Sequence, residues 1–115
     1  MELTCRDIGT VRVLSVQGRI DHARAADFQQ ALAAHLIDCN AHGQALVLDF
    51  GAVDYVSSIG LRALMLAAKQ VKAQNGRIAI AALTPVVSEV FQISRFNLVF
   101  NIFESVEAAV AELAR

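Results

Sequence analysis

The stretch that decides the fold is residues 45–62, ALVLDFGAVDYVSSIGLR. Its first six residues form a nearly continuous apolar run of strand length, and such a run predicts a central strand that is buried on both faces. We expect a seven-residue loop after Phe50, and then a helix that begins near Ser58 and ends at about Gln74. This order of strand, turn and helix start is typical of the sheet edge where ligands bind in open α/β folds.

On the N-terminal side of this stretch, the pattern predicts a hairpin followed by a helix. Alternating residues indicate strands at 3–7 and 11–17, with Gly9 and Thr10 in the turn between them. Asp21 is a candidate N-cap for the next helix, because its side chain can accept a hydrogen bond from a free backbone N–H group. Apolar residues at helical spacing give this helix its expected buried face: Ala25, Phe28, Leu32 and Leu36.

On the C-terminal side, helices and strands continue to alternate. Asn75-Gly76 closes the second helix, and residues 77–82 form the next buried strand. Thr84-Pro85 opens a short helix, residues 100–103 form the last strand, and Ser105 caps a final helix. The residues expected to be buried are Leu61, Leu64, Met65, Ala68 and Val71 in the second helix, Val86, Val90 and Ile93 in the third, and Val106, Ala109, Val110 and Leu113 in the last.

The predicted element order is therefore ββαβαβαβα, within one domain that spans residues 1–115. Strand–helix–strand units need crossover connections, so part of the sheet must be parallel. The first hairpin adds an antiparallel pair, which makes the sheet mixed.

Composition excludes several classes of function. The chain has 115 residues, 56 % of them hydrophobic, and a net charge of −1 without a basic run. Nucleic acids and anionic membrane surfaces are poor partners for such a chain, because both require clustered cations. No apolar run exceeds six residues, whereas a membrane span needs roughly 20. With no visible signal peptide, we expect a cytoplasmic chain whose two cysteines stay reduced, without direct membrane insertion.

The start of the second helix is the candidate functional site. The N–H groups of a helix N-terminus are unpaired and carry partial positive charge, so this position suits an anionic group, including a phosphoryl group on Ser58. The alternative is that Ser57 or Ser58 only caps the helix. Gly60 costs about 1 kcal/mol in a helix relative to Ala, which indicates a close approach to its backbone, either by a partner or by tight helix–strand packing.

Residues 46–65, LVLDFGAVDYVSSIGLRALM, resemble the signature of the STAS domain, which occurs in bacterial anti-sigma factor antagonists and in the tails of sulfate transporters. Residues 17–21 (QGRID), 75–78 (NGRI) and 100–105 (FNIFES) resemble three further segments of that family, so the likeness covers nearly the whole chain. It implies an α/β fold with a mixed sheet of four or five strands and helices packed on one side.

The resemblance also implies a function without catalytic residues, cofactor or metal. In the antagonists, an anti-sigma factor with serine kinase activity binds the unmodified protein and releases it after phosphorylating a serine at the start of the second helix. Ser58 matches that serine, with Ser57 as the alternative, and a serine phosphatase is a further expected partner. The residues implied for partner binding are Asp21, Asp54, Tyr55, Ser57, Ser58, Ile59, Gly60 and Arg62.

The chain departs from the family pattern in two places. Ser57 stands where many antagonists have Asp, which leaves the choice of serine open. Residues 94–97 (SRFN) stand where the family often has a Gly-Leu turn before the last strand, and they predict a reshaped loop near the site.

Four other interpretations of the sequence differ in how well the residues fit them. A regulatory subunit of a membrane transporter complex is the main alternative, because freestanding STAS-like proteins also occur there. A serine hydrolase fits poorly, since residues 56–60 (VSSIG) lack the first glycine of Gly-x-Ser-x-Gly and every histidine precedes Ser58. His35, Cys39 and His42 match no common zinc spacing, and no glycine-rich phosphate-binding motif is present.

Overall fold

The computed structural model describes residues 2–114, which form one five-stranded sheet and four α-helices in the predicted order. A single turn of 3₁₀-helix, Phe96–Leu98, precedes the last strand and was not predicted. The elements are β1 (Glu2–Ile8), β2 (Val11–Ile20), α1 (Ala25–Leu36), β3 (Ala45–Val56), α2 (Ser58–Ala73), β4 (Ile78–Ala81), α3 (Pro85–Ile93), β5 (Asn101–Phe103) and α4 (Val106–Leu113).

The sheet is mixed, as the sequence predicts. Its strand order is β1-β2-β3-β4-β5; β1 pairs antiparallel with β2, and every other neighbouring pair is parallel. Because parallel strands point the same way, the C-terminal ends of β2, β3 and β4 lie at one edge of the sheet. The fold therefore brings the turn after β2 and the start of α2 to the same edge.

The expected seven-residue loop after Phe50 is wrong, because β3 continues to Val56. The parallel ladder with β2 extends that far, with Gly18 opposite Val53 and Ile20 opposite Val56. The ladder has two register shifts, between Ser15 and Gln17 and between Gly18 and Arg19, and at each of them β3 contributes one residue more than β2. The candidate site consequently stands at the end of a hydrogen-bonded strand.

The two faces of the sheet carry separate apolar cores. On one face, Leu14, Phe28, Phe50, Leu64 and Phe91 belong to a large buried cluster under α1, α2 and α3. On the other face, α4 packs on the short side chains of β2, β3 and β4 and forms a second cluster: Val11, Val13, Ala45, Val47, Ala79, Ala81, Ala109 and Leu113. The mixed α/β class is confirmed, whereas packing of the helices on one side holds for α1–α3 alone.

The bounds predicted for α2 are confirmed, but its buried face is rotated from the predicted one. Leu64 and Val71 are buried as expected, whereas Leu61, Met65 and Ala68 are half-buried. Small residues occupy the other buried positions of the helix: Gly60, Ala63 and Ala67. Small side chains let α2 lie close to the sheet, and the half-buried Leu61 and Met65 flank the contact.

The apolar face predicted for α3 is wrong. Val87 and Phe91 are buried, while Val86 and Ile93 are exposed and Val90 is half-buried. The Phe91 ring packs edge-to-face on Phe50, with 6.4 Å between ring centroids. A helix with apolar residues on both faces turns its aromatic face inward, because the ring buries the larger area.

In the turn after α2, the left-handed conformation predicted for Gly76 is found at Asn75 instead. Asn75 has the left-handed conformation, with φ of 59°, and Gly76 does not. A Cβ atom on Gly76 would lie 2.3 Å from the carbonyl oxygen of Cys39, so glycine is needed here for close packing.

Among the described residues, no helix is both long and apolar enough to span a membrane.

Candidate functional site

The site forms where two neighbouring parallel strands end. The backbone N–H of Ser57 donates to the carbonyl oxygen of Ile20, with 2.8 Å between nitrogen and oxygen. This bond ties the end of β2 to the first residue after β3. It places the turn that begins at Asp21 beside the N-terminus of α2.

Ser57 is the N-cap of α2. Its backbone is extended, and its Oγ accepts a hydrogen bond of 3.1 Å from the N–H of Gly60. The side chain is only 8 % exposed, and it satisfies one of the N–H groups that a helix start leaves unpaired. The hydroxyl of Ser57 is therefore committed to holding the helix.

Ser58 is the first residue of α2 and is exposed. Because Ser57 already caps the helix, the capping alternative applies to Ser57 and leaves the Ser58 hydroxyl facing solvent. Two adjacent serines thus have opposite surroundings, and Ser58 is the one that another protein can reach.

The close approach that Gly60 permits is tight packing of the helix on the strands, which was one of the two alternatives that the sequence left open. It is buried, and a Cβ atom there would lie 2.8 Å from Cγ2 of Ile20 and 3.0 Å from Cγ1 of Val56. Both distances are shorter than ordinary carbon–carbon contact. The close approach is made by the protein's own β2 and β3.

The surface around Ser58 is partly apolar. Tyr55 and Ile59 are 38 % and 39 % exposed, and Asp54 and Arg62 are exposed beside them in the chain. One helical turn separates Ser58 from Arg62, so the two side chains lie on the same face of α2. The Ser58 hydroxyl thus lies near the half-exposed side chains of Tyr55 and Ile59, with a carboxylate and a guanidinium close to it in the chain.

Arg19 belongs to this edge of the sheet and was missed by sequence reasoning. Its guanidinium carbon lies 4.4 Å from the centroid of the Tyr55 ring, in a cation–π contact. The two residues are paired across β2 and β3, which depends on the register shifts of the ladder. No pattern in the sequence gives that register.

Asp21 does not cap α1, which begins four residues later at Ala25. Instead its Oδ1 accepts a hydrogen bond of 3.1 Å from the N–H of Arg24, and its Oδ2 forms an ion pair of 2.8 Å with the Arg24 guanidinium. The carboxylate therefore closes the turn between β2 and α1.

Of His35, Cys39 and His42, only Cys39 is buried, whereas His42 is exposed. Cys39 is buried, its thiol donates to the carbonyl oxygen of Arg77, and burial raises the pKa of that thiol. Across residues 2–114, no cluster of three His, Cys, Asp or Glu side chains could hold a metal ion.

Comparison with protein families assigns this architecture. The family model of the STAS domain matches residues 3–109 of the chain. BtrV of Bordetella bronchiseptica, a proposed anti-sigma factor antagonist, is 38 % identical over 111 residues, which cover 96 % of this chain and 93 % of BtrV. The chain therefore belongs to the STAS domain family, and its relatives include proteins named as anti-sigma factor antagonists.

Solved structures share the same fold. An anti-sigma factor antagonist from Mycobacterium paratuberculosis superposes with a TM-score of 0.88 at 24 % identity, over 99 % of this chain and 94 % of that one. The Bacillus cell fate determinant SpoIIAA, solved in its phosphorylated form, gives a TM-score of 0.70 at 15 % identity, over 96 % and 98 % of the two chains. At these identities the likeness concerns the fold.

Proposed function

We propose that this protein is a cytoplasmic anti-sigma factor antagonist that is switched by phosphorylation of Ser58. In its unmodified form it binds an anti-sigma factor with serine kinase activity. The kinase transfers the γ-phosphoryl group of ATP to the Ser58 Oγ, the hydroxyl proton leaves, ADP is released, and the modified protein dissociates. A serine phosphatase would restore the binding form.

The single observation that supports this proposal is the difference between two adjacent hydroxyl groups. Ser58 is exposed at the first position of α2, whereas Ser57 is buried and engaged as the N-cap. A kinase needs a nucleophilic hydroxyl that it can surround, and Ser58 meets that condition without any rearrangement of the helix. SpoIIAA, a protein with the same fold, has been solved in a phosphorylated form.

The apolar surroundings of Ser58 explain why a phosphate would release the partner. An interface that covers Tyr55 and Ile59 excludes water around a neutral hydroxyl. A phosphoryl group adds about −1.5 to −2 charge at neutral pH, and burying that charge without a partner is costly. The exposed carboxylate of Asp54 also repels the phosphate, and this repulsion is weak in the free protein, where water surrounds both groups, but grows when an interface excludes that water.

The free protein is well suited to accept the same charge. The N-terminus of α2 carries partial positive charge, and Arg62 lies one turn further along the exposed face. Both favour a phosphate on Ser58. We therefore expect modification to leave the thermal stability of the isolated protein unchanged or slightly raised while it weakens the complex.

The proposal is tested by incubating the protein with its cognate anti-sigma factor and ATP, followed by mapping of the phosphorylated residue by mass spectrometry. We expect phosphate on Ser58 and none in Ser58→Ala. Phosphate on Ser57, or on neither serine, would contradict the switch. Recovery of a transporter ATPase subunit in place of a kinase in affinity purification would support the transporter-subunit function instead.

A matched pair of variants separates charge from size at this position. Ser58→Asp places a negative charge next to the helix start, and Ser58→Asn places a side chain of nearly the same shape without charge. We expect Ser58→Asp to lose most of its affinity for the anti-sigma factor, while Ser58→Asn keeps more of it. Equal losses in the two variants would show that the interface rejects size and not charge.

A further inference from the structure

A second surface lies on the other half of α2, away from Ser58. A groove of about 680 Å³ runs between the C-terminal half of this helix and the segment that leads into β5. Its apolar walls come from Met65, Ile78, Leu98 and Val99. Leu98 is 77 % exposed, although it stands beside other apolar side chains that could have covered it.

The loop that forms one wall of the groove has an unusual backbone. Arg95 adopts the left-handed conformation, with φ of 59°, directly before the 3₁₀ turn Phe96–Leu98. The turn buries Phe96, whose ring packs on Phe91, and points Leu98 outward. Leu98 and Val99, which follow the departure at residues 94–97, line the groove together with Met65 and Lys69, about two to three turns beyond Ser58.

The groove is basic, although the whole chain has a net charge of −1. Lys69 and Lys72 line it from α2, and Arg77 lines it from the start of the neighbouring strand, where its guanidinium donates to the carbonyl oxygen of Leu113. Among the described residues, none that lines the groove is acidic. Lys69 and Lys72 are the only lysines in the chain, so both lysine side chains lie at this one surface.

We infer that this groove binds a short acidic amphipathic helix of another protein. The groove offers apolar contacts and two cationic side chains along the wall that α2 forms, and these fit a helix with one apolar stripe and carboxylates along one side of it. From Met65 to Lys72 it extends about 10 Å along α2, which matches roughly two turns of a docked helix. The apolar stripe packs on Leu98 and Val99, and the carboxylates face the two ammonium groups.

This surface is distinct from the proposed switch. Lys69 lies about 16 Å along the helix axis from Ser58, at 1.5 Å per residue, and neither Ser58 nor its neighbours line the groove. Binding here therefore does not depend on whether Ser58 is modified. The groove would allow the protein to hold a second partner segment at the same time as the first.

The experiment is a display selection of random 12-residue peptides on the full chain, followed by fluorescence anisotropy with the enriched peptides. We expect enrichment of peptides with net negative charge and apolar residues at helical spacing. Their affinity should fall about tenfold or more in Lys69→Glu/Lys72→Glu and should weaken as salt is raised. Amide shifts in NMR spectra should concentrate on residues 65–72 and 98–101.

Two further variants separate the groove from a general effect of charge or folding. Leu98→Ser removes an exposed side chain without disturbing the core and should also weaken the peptides. Arg6→Glu changes an exposed cation on β1, outside the groove, by the same charge as Lys69→Glu, and should leave the affinity unchanged. Enrichment of neutral or basic peptides, binding that ignores the lysines, or no enrichment would overturn the inference. Lysine-dependent sedimentation with phosphatidylglycerol vesicles in place of peptide binding would also overturn it.

Discussion

Each end of α2 is held by a side-chain hydrogen bond and a closely packed glycine, but the two ends expose different surfaces. At the N-terminal end, Ser57 caps the helix and Gly60 lies against β2 and β3. At the C-terminal end, the amide of Gln74 donates to the carbonyl oxygens of Leu36 and Cys39, at 2.8 and 2.9 Å, and Gly76 packs on Cys39. Each end thus combines one polar anchor with one glycine in close contact.

The difference lies in what remains exposed once the anchors are in place. The N-terminal end leaves a single neutral hydroxyl, that of Ser58, among half-exposed apolar side chains. The C-terminal half leaves Lys69 and Lys72 beside an apolar groove. A rigid helix can therefore carry a charge-sensitive surface at one end and a charged surface at the other, because neither surface is needed to hold the helix.

The largest expected effect comes from Gly76→Ala. The added Cβ would meet the backbone oxygen of Cys39, which cannot move without displacing its loop, so we expect a loss of about 3 kcal/mol in the free energy of unfolding. In Gly60→Ala the nearest atoms to the Cβ are side-chain methyl groups of Ile20 and Val56, the Ile20 carbonyl oxygen lies 3.3 Å away, and Ala gains about 1 kcal/mol of helix propensity. Urea denaturation should therefore rank Gly76→Ala as clearly more damaging. A smaller loss for Gly76→Ala than for Gly60→Ala would show that the turn after α2 adapts easily.

The next effect comes from Gln74→Ala. This change removes two hydrogen bonds and leaves the carbonyl oxygens of Leu36 and Cys39 without that donor, which should lower the free energy of unfolding by about 2 kcal/mol. Gln30→Ala, at an exposed position of α1, is the matched control and should change it by less than about 0.5 kcal/mol. Similar denaturation midpoints for the two variants would show that the Gln74 side chain does not stabilise the C-terminal end of α2.

Ser57→Ala and Ser58→Ala test the division of work between the adjacent serines. Loss of the N-cap in Ser57→Ala should lower the free energy of unfolding by about 1 kcal/mol. Ser58→Ala removes an exposed hydroxyl and should leave stability within about 0.5 kcal/mol of the parent protein. Thermal denaturation of the two variants side by side gives the comparison. A larger loss of stability in Ser58→Ala than in Ser57→Ala would contradict the assignment of Ser57 as the N-cap.

The smallest expected effect is a pH dependence of stability that arises from His35, near the C-terminal end of α1. Burial lowers the pKa of His35 below its usual value of 6.5, and the nearby Arg12 lowers it further. Asp38 and Asp7 act in the opposite direction without cancelling these effects. Because the unfolded chain takes up the proton first, this contribution is fully present above pH 6.5 and is lost as the pH falls through the lowered pKa.

The variant His35→Gln should flatten that dependence. Chemical denaturation at pH 7.5 and pH 5 should show a smaller loss of stability on acidification for His35→Gln than for the parent protein. An unchanged pH dependence would mean that other groups cause the acid sensitivity.

Much of this fold could be predicted from sequence, because its signals are local. The apolar run at the start of β3 and the 3.6-residue period of α1 fix the type of those elements, and Ser105 caps α4 as expected, through the N–H of Ala108. Which of Ser57 and Ser58 caps α2 was not predictable from the local sequence. Both are good caps, and the backbone bond from Ser57 to Ile20 that decides between them joins residues distant in sequence.

The errors in α3 and β3 share one physical cause, which is that partners far apart in the chain decide the outcome. α3 has apolar residues on two faces, and only the positions of Phe50 and Phe96 determine which face turns inward. The length of β3 depends likewise on the register shifts that keep it paired with β2. The Arg19–Tyr55 contact and the basic groove follow from tertiary packing, so periodicity and motif spacing contain no signal for them.

The measurement that tests the central claim most directly is a calorimetric titration of the anti-sigma factor with the protein before and after phosphorylation of Ser58. The account predicts that modification weakens binding about 100-fold, which corresponds to ~3 kcal/mol, while the melting temperature of the isolated protein does not fall. Equal affinities for the two forms, with the phosphate verified on Ser58, would contradict it.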